Sequence, residues 1–271
     1  MTAPSRAAGR TAGIARIAIR SLAVLVTLCG CIILYYASNP FIRRNPAPRL
    51  FMAGIGRIFG LKIEVRGAVS RQDAFFIANH VSWLDIPALT GLNGTAFIAH
   101  DGLMKLGCLR WLCSLNDTVF VARHRRGEVF RQVDQVREAL SEAGSLAIFP
   151  EGTTADGQTL LPFKSSLLSA LTPVPAGLRV QPVWLDYGPR SRELAWIGRE
   201  TGKENFLKIA ARPGRIALTI HFLPLLDGPH LLDRKSIAAA AQHAIQTAMD
   251  AARASDGQPL TASRYTSTVP R

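Results

Sequence analysis

The segment Asn79-His80-Val81-Ser82-Trp83-Leu84-Asp85 holds an imidazole and a carboxylate five residues apart, just after the apolar run Phe75–Ala78. That run reads as a buried strand, and Pro87 falls within what reads as a short helix. His80 then sits where a strand gives way to a helix, a common mounting point for chemistry on an α/β sheet. Asp85, one turn into the helix, can reach back to the imidazole Nδ1–H. This contact fixes the tautomer and leaves Nε2 free as a base near neutral pH. The pair is a serine-hydrolase triad without its own nucleophile, so the substrate would bring one, a hydroxyl attacking a thioester. The competing reading is a strand-end histidine bonded to a helix-capping aspartate, and this spacing alone arises often by chance.

A second segment, Phe149-Pro150-Glu151-Gly152-Thr153-Thr154, follows the strand-like run Leu146–Phe149. Pro150 and Gly152 force a sharp turn, and Gly152 lets a ligand approach the backbone. The N–H groups of such a turn, with two hydroxyls, can hold a phosphate or a developing oxyanion. A plain turn ending a strand is the alternative. Glu151 would need a partner beside an anion, and Arg123 is a natural one as well as a phosphate ligand itself. His124, Arg125 and Arg126 make its loop strongly basic. By itself such a run reads as a solvated or membrane-facing surface.

The elements that must position these residues follow from periodicity. Leu61, Ile63 and Val65 alternate with Lys62, Glu64 and Arg66, giving a half-buried strand closed by Gly67. Further short apolar runs are Ala96–Ala99, Thr118–Val121, Val180–Leu185 and Arg215–Phe222. Between them, Glu128–Ala143 carries a helical stripe of Val129, Val133, Val136 and Leu140 that Gly144 ends, and Ser236–Ala252 is an alanine-rich helix. Alternating strands and helices predict an α/β domain with a central mixed sheet flanked by helices over residues 61–253. Residues 254–271 read as a flexible tail.

Residues 1–60 form a basic N-terminus with a membrane-anchoring helical segment. Residues 1–50 contain seven arginines and no acid, within a chain of net charge +13. Such charge could serve nucleic acid or an anionic membrane. The uncharged run Ser21–Ile42, with Tyr35 and Tyr36 at an interfacial position, decides for membrane and against nucleic acid. A cleaved signal peptide is the rival reading, though no clean cleavage site precedes a soluble start. Arginines flank the run on both sides, and both flanks favour the cytoplasmic face. A half-inserted or hairpin-like anchor satisfies both; a single span satisfies one. Arg49–Phe59 places Phe51, Ile55, Ile58 and Phe59 at helical spacing, either an interfacial helix or a core helix. Four cysteines suit a reducing compartment, and no second pair completes a zinc site with Cys108 and Cys113. The remaining histidines read as structural or solvent-facing and the tryptophans as core, although Trp111 could touch lipid. No nucleotide fingerprint, nucleophile elbow, zinc-protease motif or Walker loop is present.

Together, the Asn79–Asp85 and Phe149–Thr154 segments, about seventy residues apart, resemble the glycerolipid acyltransferase family, which includes the lysophosphatidic acid acyltransferases. The resemblance extends to Val119-Phe120-Val121-Ala122-Arg123, to Val180-Gln181-Pro182-Val183-Trp184-Leu185, and to Lys164 in Pro162-Phe163-Lys164. It covers roughly Leu61–Phe222. It implies His80 as general base, Asp85 as its orienter, and Arg123, Glu151, Gly152, Thr153 and Lys164 as acceptor-binding residues. It also implies acyl-CoA or acyl carrier protein as donor, a lysolipid acceptor, no metal or other cofactor, and work at the cytoplasmic face of the inner (plasma) membrane. Many family members carry arginine where this chain has Thr154. The string Phe149–Leu168 and the ending Arg264-Tyr265-Thr266-Ser267 look closer to a bacterial branch that includes lyso-ornithine lipid acyltransferases. Lysophosphatidic acid is slightly favoured as acceptor by the basic residues around Arg123, with lyso-ornithine lipid as the alternative. A lipid hydrolase or transacylase would release fatty acid without an acceptor. A silent membrane-binding module would bind lipid regardless of His80.

Overall fold

The computed structural model describes residues 6–38, 42, 45–70, 72–100, 119–121, 138, 140 and 144–256. All seven expected strands are present, each within one residue or so of its apolar run: β1 (Leu61–Arg66), β2 (Ala74–Ala78), β3 (Ala96–His100), β4 (Val119–Val121), β5 (Ser145–Ile148), β6 (Arg179–Asp186) and β7 (Ile216–Phe222). They form one mixed sheet in the order β1-β7-β6-β2-β5-β3-β4. Among the described residues, only the β6–β7 pair is antiparallel. β2 and β5 lie inside the sheet, and every one of their residues is buried, as a strand covered on both faces requires.

Helices cover the two faces. On one, Phe76 and Ala78 of β2 meet Phe51, Ile55 and Phe59 of the α2 segment (helix Ala47–Ile58), Leu84, Ala88 and Leu89 around α3 (Asp85–Asn93), and Ile209 and Ala210 of Gly202–Ala211. On the other, Phe75 and Ile77 meet Leu168, Leu171 and the stripe Ile237, Ala241, Ile245 and Met249 of the last helix, Arg234–Asp256. In chain order the short Ser191–Leu194 helix is α4, Gly202–Ala211 is α5 and Arg234–Asp256 is α6. The apolar stripe of α2 points into the core, with Phe59 fully buried, so the core reading of Arg49–Phe59 holds over the interfacial one. β1 lies at the sheet edge, which leaves Val65 exposed rather than half-buried.

Asp233 accepts the N–H groups of Lys235 and Ser236 and so starts α6, which runs through residues 254–256, past the expected start of the tail. Most of the helix expected over Glu128–Ala143 lies outside the described residues. Glu138 and Leu140 are helical, and Gly144 at φ +77° donates its N–H to the Leu140 carbonyl, closing the helix as its type predicts.

The N-terminal helix α1 (Arg6–Ser38) is 33 residues long, about 50 Å at 1.5 Å per residue. It is docked along the domain. Gly13, Arg16, Ile17, Arg20, Val24, Thr27, Leu28 and Cys31 form a covered stripe at three- and four-residue steps. Arg20 Nη1 lies 2.9–3.0 Å from the carbonyls of Ile209, Ala210 and Arg212, and Arg16 Nη1 lies 3.1 Å from that of Ala211. Two anchor arginines thus cap the C-terminus of α5, where unpaired carbonyls and the helix dipole favour a cation. Near the other end, Asn45 Nδ2 reaches the Tyr35 carbonyl and the Ser38 hydroxyl, joining α1 to the start of α2.

Candidate active site

β2 ends at Ala78, and the chain must leave the sheet without losing its register. Asn79 does this with its side chain: Oδ1 accepts the Leu185 N–H at 2.7 Å and Nδ2 donates to the Leu185 carbonyl at 3.2 Å. The β2–β6 ladder thereby continues one step beyond the strand. His80 follows, its side chain 19% exposed. Phe149 stacks on its ring at a centroid distance of 4.1 Å, and Phe97 lies against Phe149 from behind.

Asp85 is fully buried and begins α3 rather than lying one turn inside it. The turn Val81–Leu84 curls back, with the Asp85 N–H bonded to the Ser82 carbonyl. One carboxylate oxygen, Oδ2, accepts from three donors: His80 Nδ1 at 2.7 Å, Val81 N–H at 2.8 Å and Ser82 N–H at 3.0 Å. An acceptor-only carboxylate facing Nδ1 requires the proton there, so Nε2 carries the free lone pair. The other oxygen, Oδ1, accepts the Tyr187 hydroxyl at 2.6 Å.

Glu151 stands behind this loop. Oε1 accepts the His80 N–H at 2.8 Å and Oε2 the Leu161 N–H at 3.0 Å, and the residue is 1% exposed. The Ala155 N–H grips the His80 carbonyl at 2.7 Å, so the turn after β5 holds both main-chain groups of His80. Burial pushes the Glu151 carboxyl up to about 7, against two backbone hydrogen bonds that pull it down; the nearby Asp85 charge adds to the rise. Both oxygens face main-chain donors inside the protein, so Glu151 braces the histidine loop. The head-group role implied for it by resemblance would need a ligand to reach a nearly closed position. Its expected partner Arg123 lies outside the described residues, as do His124, Arg125 and Arg126.

Gly152 adopts φ +70°, and a Cβ there would lie 3.0 Å from Lys164 Nζ. The exposed Lys164 side chain thus crosses the bare backbone of the turn, while its N–H bonds to the Pro150 carbonyl. Thr153 is exposed at the tip. Thr154 turns its hydroxyl onto the Trp196 carbonyl, and the Trp196 N–H bonds in turn to the Val81 carbonyl. His80 and Asp85, Glu151 and Gly152, and Lys164 therefore come from three stretches of the chain into one assembly. His221 stacks on Trp184, and His230 and His243 are exposed; none joins it. Trp196, expected in the core, is 37% exposed, its indole N–H satisfied by the Glu200 carbonyl.

The acyltransferase family profile matches residues 62–186, which contain both segments. A lyso-ornithine lipid O-acyltransferase of Rhodobacter capsulatus is 30% identical over 198 residues, 71% of each chain. The chain belongs to the acyltransferase family. A 1-acyl-sn-glycerol-3-phosphate acyltransferase of Neisseria meningitidis is 28% identical over 200 residues, 72% of this acyltransferase and 77% of that one. The crystal structure of the 1-acyl-sn-glycerophosphate acyltransferase of Thermotoga maritima superposes with a TM-score of 0.56 at 20% identity, covering 88% of this chain and 98% of that one. That likeness is one of fold.

Sequence reasoning missed Tyr187, the Asn79 clamp and the stacking of Phe149. Tyr187 had a faint signal: a tyrosine ending an apolar strand must find an acceptor for its hydroxyl.

Proposed function

We propose that this acyltransferase moves a fatty acyl group from an acyl thioester onto the free hydroxyl of a lysolipid, with His80 as general base. The observation that carries this reading is the buried Asp85 carboxylate at 2.7 Å from Nδ1 of His80, whose side chain is 19% exposed; the contact leaves Nε2 as the basic nitrogen. The acceptor hydroxyl gives its proton to Nε2 as its oxygen attacks the thioester carbonyl. The tetrahedral intermediate collapses, the carbon–sulfur bond breaks, and the imidazolium returns the proton to the departing thiolate. An ester and a free thiol result, and no metal or other cofactor is needed. The donor is acyl-CoA or acyl carrier protein.

Lyso-ornithine lipid is the acceptor best supported. Thr154 supplies no cation where many relatives carry arginine, and its hydroxyl is already used by the Trp196 carbonyl. The R. capsulatus relative bears that activity in its name. Lysophosphatidic acid is the second reading, favoured by the basic run at Arg123 and by the N. meningitidis relative. Gly152, Thr153 and Lys164, with Arg123 on the strength of the sequence, are the residues assigned to the acceptor, and Glu151 stands buried next to Gly152.

The enzyme works at the membrane's cytoplasmic face. Ile14, Ile19, Leu22, Leu25, Val26 and Ile33 of α1 are 55–70% exposed and lie on the side opposite the docked stripe. One stripe of this helix packs against the domain, and the apolar residues on the opposite side need lipid. The contacts that α1 makes with the domain from Gly13 to Ser38 favour the half-inserted anchor over a free-standing span.

Membranes carrying the protein should transfer labelled acyl groups to lyso-ornithine lipid, with His80→Ala reducing the rate more than a thousandfold. Transfer to lysophosphatidic acid alone would replace the acceptor. Product from neither acceptor, with both donors tried, would sink the reading.

A further inference from the structure

Tyr187 is delivered to the site by two devices. The Asn79 clamp holds Leu185, two residues upstream, and Asp186 Oδ1 accepts the Gly188 N–H at 2.7 Å to turn the chain. The side chain enters beside the histidine loop, 5% exposed, with its hydroxyl 2.6 Å from Asp85 Oδ1. Oδ2 is crowded by three donors, whereas Oδ1 has Tyr187 as its one hydrogen-bond partner among the described residues. Each of the two groups would be a buried, unsatisfied polar atom without the other. Burial and the adjacent carboxylate raise the phenol well above its ordinary 10.0, so it stays a donor throughout the working range.

Resting on the acyl-transfer reading above, we propose that Tyr187 is a positioning residue that acts on His80 through Asp85. Its O–H fixes the carboxylate plane toward Nδ1 and draws part of the negative charge onto Oδ1. Without that bond the charge concentrates on Oδ2, which pulls harder on the Nδ1 proton and stabilises the imidazolium. Tyr187 therefore sets how basic Nε2 is, a second function for the strand end that also closes the core.

Among the described residues, the titratable groups facing the Asp85 carboxylate are His80 from the loop after β2, Tyr187 from the end of β6 and Glu151 from the turn after β5. The test is the pH dependence of kcat/KM in vesicles, on the full chain, with Glu151 left in place in every variant so that its own titration is common to all of them. Tyr187→Phe should lower kcat about tenfold, leave KM for the lysolipid within twofold, and move the acid limb up by about half a pH unit or more. Replacing Tyr187 with 3,5-difluorotyrosine, which nearly keeps the shape and strengthens the donor, should move the same limb down. A filler of the core would move it in neither case. An active, His80-dependent enzyme whose limb stays put with both substitutions overturns the role of Tyr187 alone. If Tyr187→Phe does not fold, the difluorotyrosine shift decides by itself. Acyl transfer indifferent to His80→Ala overturns this proposal together with the reading beneath it.

Discussion

The histidine loop and the N-terminal helix are both tied to main-chain groups, but across very different sequence distances. In the loop, Asp85 gathers the N–H groups of Val81 and Ser82 and the ring of His80, all within five residues of it. In α1, Arg20 reaches carbonyls 189 to 192 residues away. The first arrangement can form as soon as its own turn forms. The second requires that the sheet, α2 and α5 already be in place. A motif is legible where its bonds are local. A residue that caps a distant helix carries no local mark, and Arg20 looks in the sequence like one more basic flank of a membrane segment.

The two regions also meet. The Arg20 guanidinium lies over the Phe59 ring at 5.7 Å, and Phe59 packs edge-on against Trp83 of the histidine loop and near Phe206 of α5. The anchor is therefore continuous with the packing behind the catalytic pair.

The largest expected effect tests the local half of this contrast. Asp85→Asn should keep the fold and lose about a thousandfold in kcat, since an amide can hold the wrong tautomer of His80. Retained activity in an acyl-transfer assay would mean that the loop bonds serve structure alone. Next comes the long-range half. Arg20→Ala strips three carbonyls at the end of α5 of a charged donor and should cost about 3 kcal/mol in denaturant unfolding measured in detergent. A loss below about 0.5 kcal/mol would return α1 to the status of a separable anchor.

The smallest effect belongs to Glu151, which ties the second segment of the site to the His80 main chain. Its folded-state value of about 7 lies above the ordinary 4.5, so between those pH values the unfolded chain releases a proton that the folded chain keeps. The stability it contributes is full below about pH 4.5 and is lost as the pH rises through about 7. Glu151→Gln should flatten that part of the stability–pH curve by on the order of 2 kcal/mol. An unchanged slope would mean that Glu151 ionises as an ordinary surface carboxylate does.

Much of the fold was legible. All seven strands follow from short apolar runs bounded by glycine or charge, and Gly144 closes its helix as expected. Where periodicity was ambiguous, as in Arg49–Phe59, only burial decided, because an interfacial stripe and a core stripe have the same spacing. The pairing of His80 with Asp85 was legible too. The position of Asp85 at the very start of α3 was not, because the turn curls back through the Val81 and Ser82 N–H groups that Asp85 Oδ2 accepts, and the side-chain types of Val81–Leu84 do not announce that contact.

The sequence by itself determined the chemical kit: an imidazole, a carboxylate within reach of it, a proline-glycine turn, and an apolar helix between arginines. It could do so because side-chain type and near-neighbour spacing set those properties directly. The tertiary structure alone decided that Tyr187, 102 residues from Asp85, completes the carboxylate, that Glu151 braces the His80 main chain, and that Arg20 ends a helix near the far end of the chain. Each of these is a polar group satisfied by a partner far away in sequence. Burial makes such a partner obligatory, and only the folded sheet brings it within hydrogen-bonding distance.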